Sequence, residues 1–244
     1  MINKSLLSSI IDKYYLKINE SVMWEIKNNS LNIDFMTPTR DVIGKVKCPN
    51  FNLIDSKLAI FDTKKLSGLI SICSQDISLD LEKHQSKFTK LHISDQDFNL
   101  TYALAEPLLI SKVGTVNIPE WEVELNLEEK DVLNLTKAKA ALGEVDNMLI
   151  HTTTSLVGDN VCEFIFGDEE GHNNKISYSV TGKIKELNIR LPFNSEIFRT
   201  ILHVNKNPNG GKLFISNKGL MKLEFIVDGV ESEYFIVRKS DNNF

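Results

Sequence analysis

Few residues in this chain have the type and spacing that chemistry requires. Five histidines stand at 84, 92, 151, 172 and 203, with no H-x-x-x-H pair and no cysteine pair beside any of them. A zinc site therefore has no ligand set, and each reads as a surface or strand histidine. The run Asp168-Glu169-Glu170-Gly171-His172 lacks the alternating ligands of a calcium loop and reads as a solvated acidic turn. Asn209-Gly210-Gly211-Lys212 resembles a phosphate loop only in part, because G-x-x-x-x-G-K-[ST] is absent and a turn is due there. No G-x-S-x-G or paired Cys/His signature supplies a nucleophile. No catalytic residue, metal site or cofactor is expected, and the chain is not expected to be an enzyme. A hydrolase assembled from distant loops would escape this reading.

What remains is charge. In KLAIFDTKKLSGLISI, residues 57–72, a strand-like run ends at Asp62 and a helix opens on Lys64 and Lys65 with no acid in it. The protein as a whole carries a net charge of −5. Four helical windows, 3–17, 63–74, 130–142 and 195–206, hold ten Lys or Arg residues against three acids, so the rest of the chain carries −12. At about 100° per residue, Lys64, Lys130, Lys137 and Arg199 fall opposite the apolar stripes of their helices. Lys4 and Lys13 flank a polar face of the first helix, and Lys65, Lys139 and Lys206 complete the basic set. Four basic helices on one surface would attract phosphates without reading bases, while the acidic remainder would keep nucleic acid off other faces.

The elements that must position these lysines can be read from periodicity. Leu6, Leu7, Ile10, Ile11 and Tyr14 give the first helix its stripe. Alternating runs predict strands at 22–26, 31–36, 42–48 and 57–61, with a turn at Asn28-Asn29-Ser30. After the second helix come strands at 77–81, 89–94 and 98–104. Residues 1–105 form one module, 106–120 a connector with two prolines, and 121–244 a second module. The second module opens on a strand at 121–127 and a helix at 130–142. Strands are expected at 147–153, 160–166, 175–181 and 186–192, then a helix buries Ile197, Phe198, Ile201 and Leu202. Two or three strands close the chain, with a hairpin at Asp228-Gly229. Three scattered cysteines, 48, 73 and 162, favour a reducing compartment. With no signal peptide and no long apolar run, a cytoplasmic protein is expected, with no membrane partner.

LAIFDTKKLSGLISI at 58–72, DVLNLTKAKAALGEVDNMLI at 131–150 and EYFIVRKSDNNF at 233–244 carry a resemblance to the sliding clamps of T-even-like bacteriophages, the trimeric DNA polymerase processivity factors. The resemblance spans nearly the whole chain and is diffuse. It implies an α+β, DNA-clamp (processivity) fold of two repeated modules, each with two helices packed on antiparallel sheets. It also implies a homotrimer ring around double-stranded DNA, without sequence specificity, in an infected bacterial cell. Lys137 and Lys139 fall at or near basic positions of an inner helix, and Lys4 and Lys13 at those of the N-terminal helix. DNA polymerase and clamp loader would dock near the connector. Leu108, Leu109, Ile118 and Pro119 are the candidates there, or else ordinary core residues. Copies would join by pairing strand 98–104 with 175–181 of the next. The loop 168–175 has no counterpart in the resemblance. A β-rich structural or assembly protein without DNA binding is the alternative; it would share the strands but has no use for basic helix faces.

Overall fold

A computed structural model describes residues 1–143, 145–155, 158–167, 174–206 and 211–239. The chain separates into two compact units, one of residues 1–115 with 228–232 and one of residues 116–227 with 233–244.

In the first unit the order is β1 (Ile2–Asn3), α1 (Lys4–Tyr15), β2 (Val22–Lys27), β3 (Ser30–Met36), β4 (Val42–Pro49), β5 (Ser56–Ile60), α2 (Thr63–Ser71), β6 (Asp76–His84), β7 (Lys87–Ser94) and β8 (Asn99–Ala103). Two antiparallel sheet segments result, in the orders β4-β3-β2-β5 and β1-β6-β7-β8. The predicted turn at Asn28-Asn29 is present, with φ of 51° and 59°, the left-handed pair that matches strand twist in a two-residue hairpin. Gly44 in β4 is required by packing. A Cβ there would meet the ring of Phe35 across the strand pair. Along β2, Val22, Trp24 and Ile26 alternate inward, and Trp24 meets Phe51 edge-on at 6.1 Å. The helices α1 and α2 pack side by side.

The second unit follows with β9 (Val123–Leu127), α3 (Glu129–Ala141), β10 (Asn147–Thr154), β11 (Asn160–Gly167), β12 (Lys175–Ile184), β13 (Leu191–Asn194), α4 (Ser195–Val204), β14 (Gly211–Ser216), β15 (Leu220–Val227) and β16 (Val230–Val237). Its strand order is β13-β10-β11-β12-β9-β14-β15-β16. Phe164 of β11 stacks on Phe198 of α4 at 5.9 Å, which fixes α4 over β10 and β11, and α3 packs beside α4. The hairpin at Asp228-Gly229 has φ of 51° and 77°.

One predicted strand is misplaced. Residues 186–190 are not extended; the strand is β13, at 191–194, and β12 runs on to Ile184 instead. The backbone amides of Leu187 and Asn188 are taken by Thr152 Oγ1 and Asn217 Oδ1, so side chains replace the ladder that a strand would need. Cys48, Cys73 and Cys162 are buried free thiols. No helix among the described residues is long and apolar enough to cross a membrane.

Candidate nucleic-acid interface

Each unit presents a two-helix layer, and the sequence places lysines on it. At the start of α2, Asp62 caps the helix by accepting from the Lys65 amide at 2.8 Å. The Tyr102 hydroxyl of β8 accepts from the Asp62 amide at 3.0 Å and donates to the Asp62 carbonyl at 3.2 Å. Thr63, Leu66 and Ile70 are buried, which turns Lys64 and Lys65 to solvent. Neither side chain has an ion-pair partner among the described residues. On α3, Val132, Leu135 and Ala138 face inward, leaving Lys137 exposed and equally unpaired. Lys206, just past α4, is exposed as well.

The other basic candidates are spoken for. Lys4 Nζ donates to the carbonyls of Ser71 at 2.7 Å and Cys73 at 2.5 Å, so it caps the C-terminal end of α2 from the neighbouring helix. Lys139 is 5% exposed. Its Nζ donates to the Gly143 carbonyl at 2.5 Å and lies 3.4 Å from Glu196 of α4. Its position explains this, since it is four residues after Leu135 and seven after Val132, on the stripe that packs. Lys139 therefore joins α3 to α4 and presents no open charge. Lys130 pairs with Glu128 at 3.0 Å, both well exposed, a contact worth little in water.

Arg199 does not sit opposite the buried face. It binds Glu196 at 2.9 Å, and its buried Nε has no hydrogen-bond partner among the described residues. Ser195 is buried and Ile197 only half-buried. The inward face is thus rolled toward Ser195, and Arg199 comes to the helix border.

Lys13 is fully buried, contrary to its expected place on an open face. Burial lowers its pKa to about 8, against the opposing attraction of Asp228 and Asp12. The charged form is thus disfavoured in the folded state. The penalty is complete below about pH 8 and is relieved as pH rises toward the unfolded value of 10.5, because the unfolded chain then holds the extra proton. Lys13→Met is expected to flatten the rise in stability above pH 8, because the group that titrates there is gone. Thermal melts of both proteins across that range check it.

Several lysines on the sheets are paired with acids. Lys57 pairs with Glu25 at 2.9 Å, Lys90 with Glu82 at 2.8 Å, and Lys183 with Glu124 at 3.4 Å. Lys222 pairs with Glu224 and Glu233 at 2.5 and 2.7 Å. These sheet lysines are neutralised by neighbouring acids, while Lys27, Lys83 and Lys212, also on strands, have no ion-pair partner among the described residues; Lys64, Lys65, Lys137 and Lys206 on the helix layers likewise have none. His203, exposed in the last turn of α4, and Lys17, exposed just beyond α1, join this layer. Neither was a site candidate from sequence, though the basic count of the helical windows had included Lys17.

The connector candidates are surface residues. Leu108 is 95%, Leu109 58% and Ile118 62% exposed, and Pro119 is half-buried. Core positions they are not. Leu108 and Leu109 lie on a single 3-10 turn, Pro107–Leu109, beside a Lys87–Glu106 pair at 2.8 Å.

Two sheet edges are open. In β8 the amide of Leu104 donates to Thr89 of β7, while that of Ala105 points the other way, to Ala59. Even-numbered amides therefore face β7, and those of residues 99, 101 and 103 face outward with no strand beside them among the described residues. In β12 the Lys185 amide donates to Glu122, so odd-numbered amides face the β9 side. The strand β9 pairs only with residues 182–184, which leaves 175, 177, 179 and 181 open. On both edges the residues with outward amides carry the exposed side chains. Leu100, Tyr102, Ile176, Tyr178 and Val180 lie on the other, more buried face. Tyr178 donates to Asp131 of α3 at 2.7 Å, the counterpart of Tyr102 at α2.

Among the described residues no three His, Cys, Asp or Glu side chains converge to hold a metal. His92 bridges Thr101 and Glu82, and His151 binds Glu163, but Thr101 is exposed on an open sheet face with nothing to exclude water from it. The expected acidic turn 168–172 and Asn209-Gly210 lie outside the described residues; Gly211 and Lys212 begin β14.

No protein-family model matches the chain, and no curated protein matches it in sequence. Solved structures do match over its whole length. A. fulgidus PCNA, in a structure with the C-terminal region of FEN-1 bound to it, is 14% identical, with a TM-score of 0.77 over 99% of this chain and 98% of that one. A Sulfolobus tokodaii PCNA2–PCNA3 complex gives 12% identity and a TM-score of 0.72 over 98% of both chains. Proliferating Cellular Nuclear Antigen of Entamoeba histolytica gives 14% and 0.72 over 98% of this chain and 96% of that one. The chain therefore has the PCNA-type sliding-clamp fold, an α+β architecture with paired helices on antiparallel sheets.

Proposed function

We propose that this chain is the subunit of a sliding clamp: a ring that encloses duplex DNA and tethers the replicative polymerase. The observation that carries the proposal is the sorting of charge. Several sheet lysines are paired with acids, whereas each helix layer carries exposed lysines, Lys64 and Lys65 in one and Lys137 and Lys206 in the other, with no ion-pair partner among the described residues. In a ring whose helices line the hole, these exposed side chains meet phosphates without reading bases. Retention comes from topology, so each contact can stay weak and screened, which suits sliding. No step of this work is catalytic.

Copies would join head to tail, β8 of one along the open part of β12 of the next, closing a cyclic ring. Three subunits, a T-even-like phage origin and an infected bacterial cell as the site of action follow from the sequence resemblance. The FEN-1 segment bound to A. fulgidus PCNA is a precedent for peptide docking on this fold. In this chain exposed Leu108, Leu109 and Ile118, with half-buried Pro119, are the apolar residues to which polymerase and loader would bind. The alternative of a structural protein without DNA binding gives no reason for unpaired lysines on two helix layers.

After loading by its loader, the protein is expected to stay on circular duplex DNA and to slide off a linear molecule with free ends. Equal retention on both forms would replace enclosure with ordinary surface binding.

A further inference from the structure

We propose, resting on the ring reading above, that Glu196 limits the grip on DNA: its carboxylate stands in for a phosphate on Arg199 and yields that arginine only when the duplex backbone comes close. On α4, Glu196 and His203 are both exposed and lie seven residues apart, on one line along the helix. The acid therefore stands on the open face of a layer that otherwise presents cations. Two cations hold it there. Its Oε1 accepts from Arg199 Nη1 at 2.9 Å, and its Oε2 lies 3.4 Å from Lys139 Nζ of α3. An acid in a first turn also complements the helix dipole. The amides of Glu196 and Ile197, however, are taken by Asn194 Oδ1, and the carboxylate of Glu196 is turned to the two cations instead.

The two cations differ in their freedom to leave. Lys139 is buried and also donates to the Gly143 carbonyl, so it cannot follow a ligand outward. Both side chains of the Arg199–Glu196 pair reach water, and an i,i+3 pair in such surroundings holds weakly. The seat of Arg199 is also incomplete. Its Nε is buried without an acceptor among the described residues, a cost that any move supplying an acceptor would remove. Glu196 offers Arg199 one oxygen, because the other is turned to Lys139. A phosphate offers two at once, to Nε and an Nη together, which is the fork that a guanidinium matches best.

When a phosphate reaches this face, Arg199 exchanges Oε1 of Glu196 for the phosphate oxygens, and Glu196 stays behind on Lys139. One ion pair breaks and another forms. The net gain is the difference between the two pairings, so the arginine adds only a fraction of a full contact. The choice of residue makes this restraint useful. Among the described residues Arg199 is the one arginine on a helix, and a guanidinium fork holds a phosphate harder than an ammonium does. Lys64, Lys65, Lys137 and Lys206 bind as point charges and need no such restraint; the one cation able to grip is the one that has been given a competing acid.

The test follows the labelled full-length assembly, loaded on duplex DNA by its loader, as it diffuses along the duplex over a range of salt concentrations. Glu196→Gln is expected to slow diffusion about threefold at low salt. It should also steepen the salt dependence, because each arginine set free gains a phosphate contact and releases counterions. Adding Arg199→Gln to the same chain should cancel both effects. A double variant as slow as Glu196→Gln would mean that the acid acts through its charge alone, and the exchange is wrong. If Glu196→Gln melts too low to assemble, Arg199→Lys decides. It keeps the charge but loses the fork and should slide faster than the wild type; unchanged sliding overturns the proposal. Glu196→Gln that diffuses as the wild type does also overturns it, and leaves the ring. A wild-type protein that does not travel along the duplex, and leaves circular and linear DNA equally fast, overturns the ring and the inference with it.

Discussion

Lys64→Glu combined with Lys137→Glu is expected to leave assembly intact and to reduce retention on circular DNA, and with it processive synthesis, by about tenfold at moderate salt. Both side chains are exposed and have no ion-pair partner among the described residues, so their reversal breaks nothing inside the chain. One change falls in each unit, on α2 and α3, and a ring multiplies both by the number of subunits. The loss should shrink as salt rises, because the lost contacts are screened ones. Lys139→Glu makes the informative contrast. It would place an acid against the Gly143 carbonyl and Glu196 and is expected to lower the melting temperature before it alters DNA retention. Sedimentation, thermal melts and a reconstituted primer-extension assay separate these outcomes. Unchanged processivity in the double variant would remove α2 and α3 from the DNA-facing wall.

Ser177→Pro is expected to convert the assembly into monomers that keep their fold. The amide of Ser177 lies on the open side of β12, beyond the last residue paired with β9, so proline removes no backbone hydrogen bond within the chain, only the side-chain bond from Ser177 to Glu163. In the ring that amide belongs to the ladder between copies, and the proline ring would stand in the joint. Ile176→Pro serves as the control. Its amide faces β11, where residues 175–181 are paired throughout, and the substitution should unfold the second unit. Sedimentation velocity with far-UV circular dichroism reads both results. An intact oligomer from Ser177→Pro would place the joint on another edge.

Much of this fold is legible in local sequence. Asp62 as a helix cap, the left-handed pairs at Asn28-Asn29 and Asp228-Gly229, and the stripes of α1 to α3 are each fixed by residues within about four positions. The opening of Lys64 and Lys137 to solvent follows from the same periodicity. Even the burial of Lys139 could have been read from its place on the stripe of Leu135 and Val132, had the family resemblance not assigned it to DNA. The expected strand at 186–192 failed because β12 passes from β11 to β9 and extends three residues further, which no local pattern records.

What the sequence determined by itself is therefore which residues form each helix and, for α2 and α3, which way the helix faces and that its open face carries Lys64, Lys65 and Lys137. The tertiary structure alone decided which of those charges remain available. Lys4 is held by the carbonyls of Ser71 and Cys73 in another helix, Lys13 is buried with Asp228 of a distant hairpin nearby, and Arg199 is drawn to the border of α4. The reason is one of range. Helical facing repeats every few residues and is encoded by neighbours, whereas an ammonium group's partner is whatever the fold brings within about 4 Å of it.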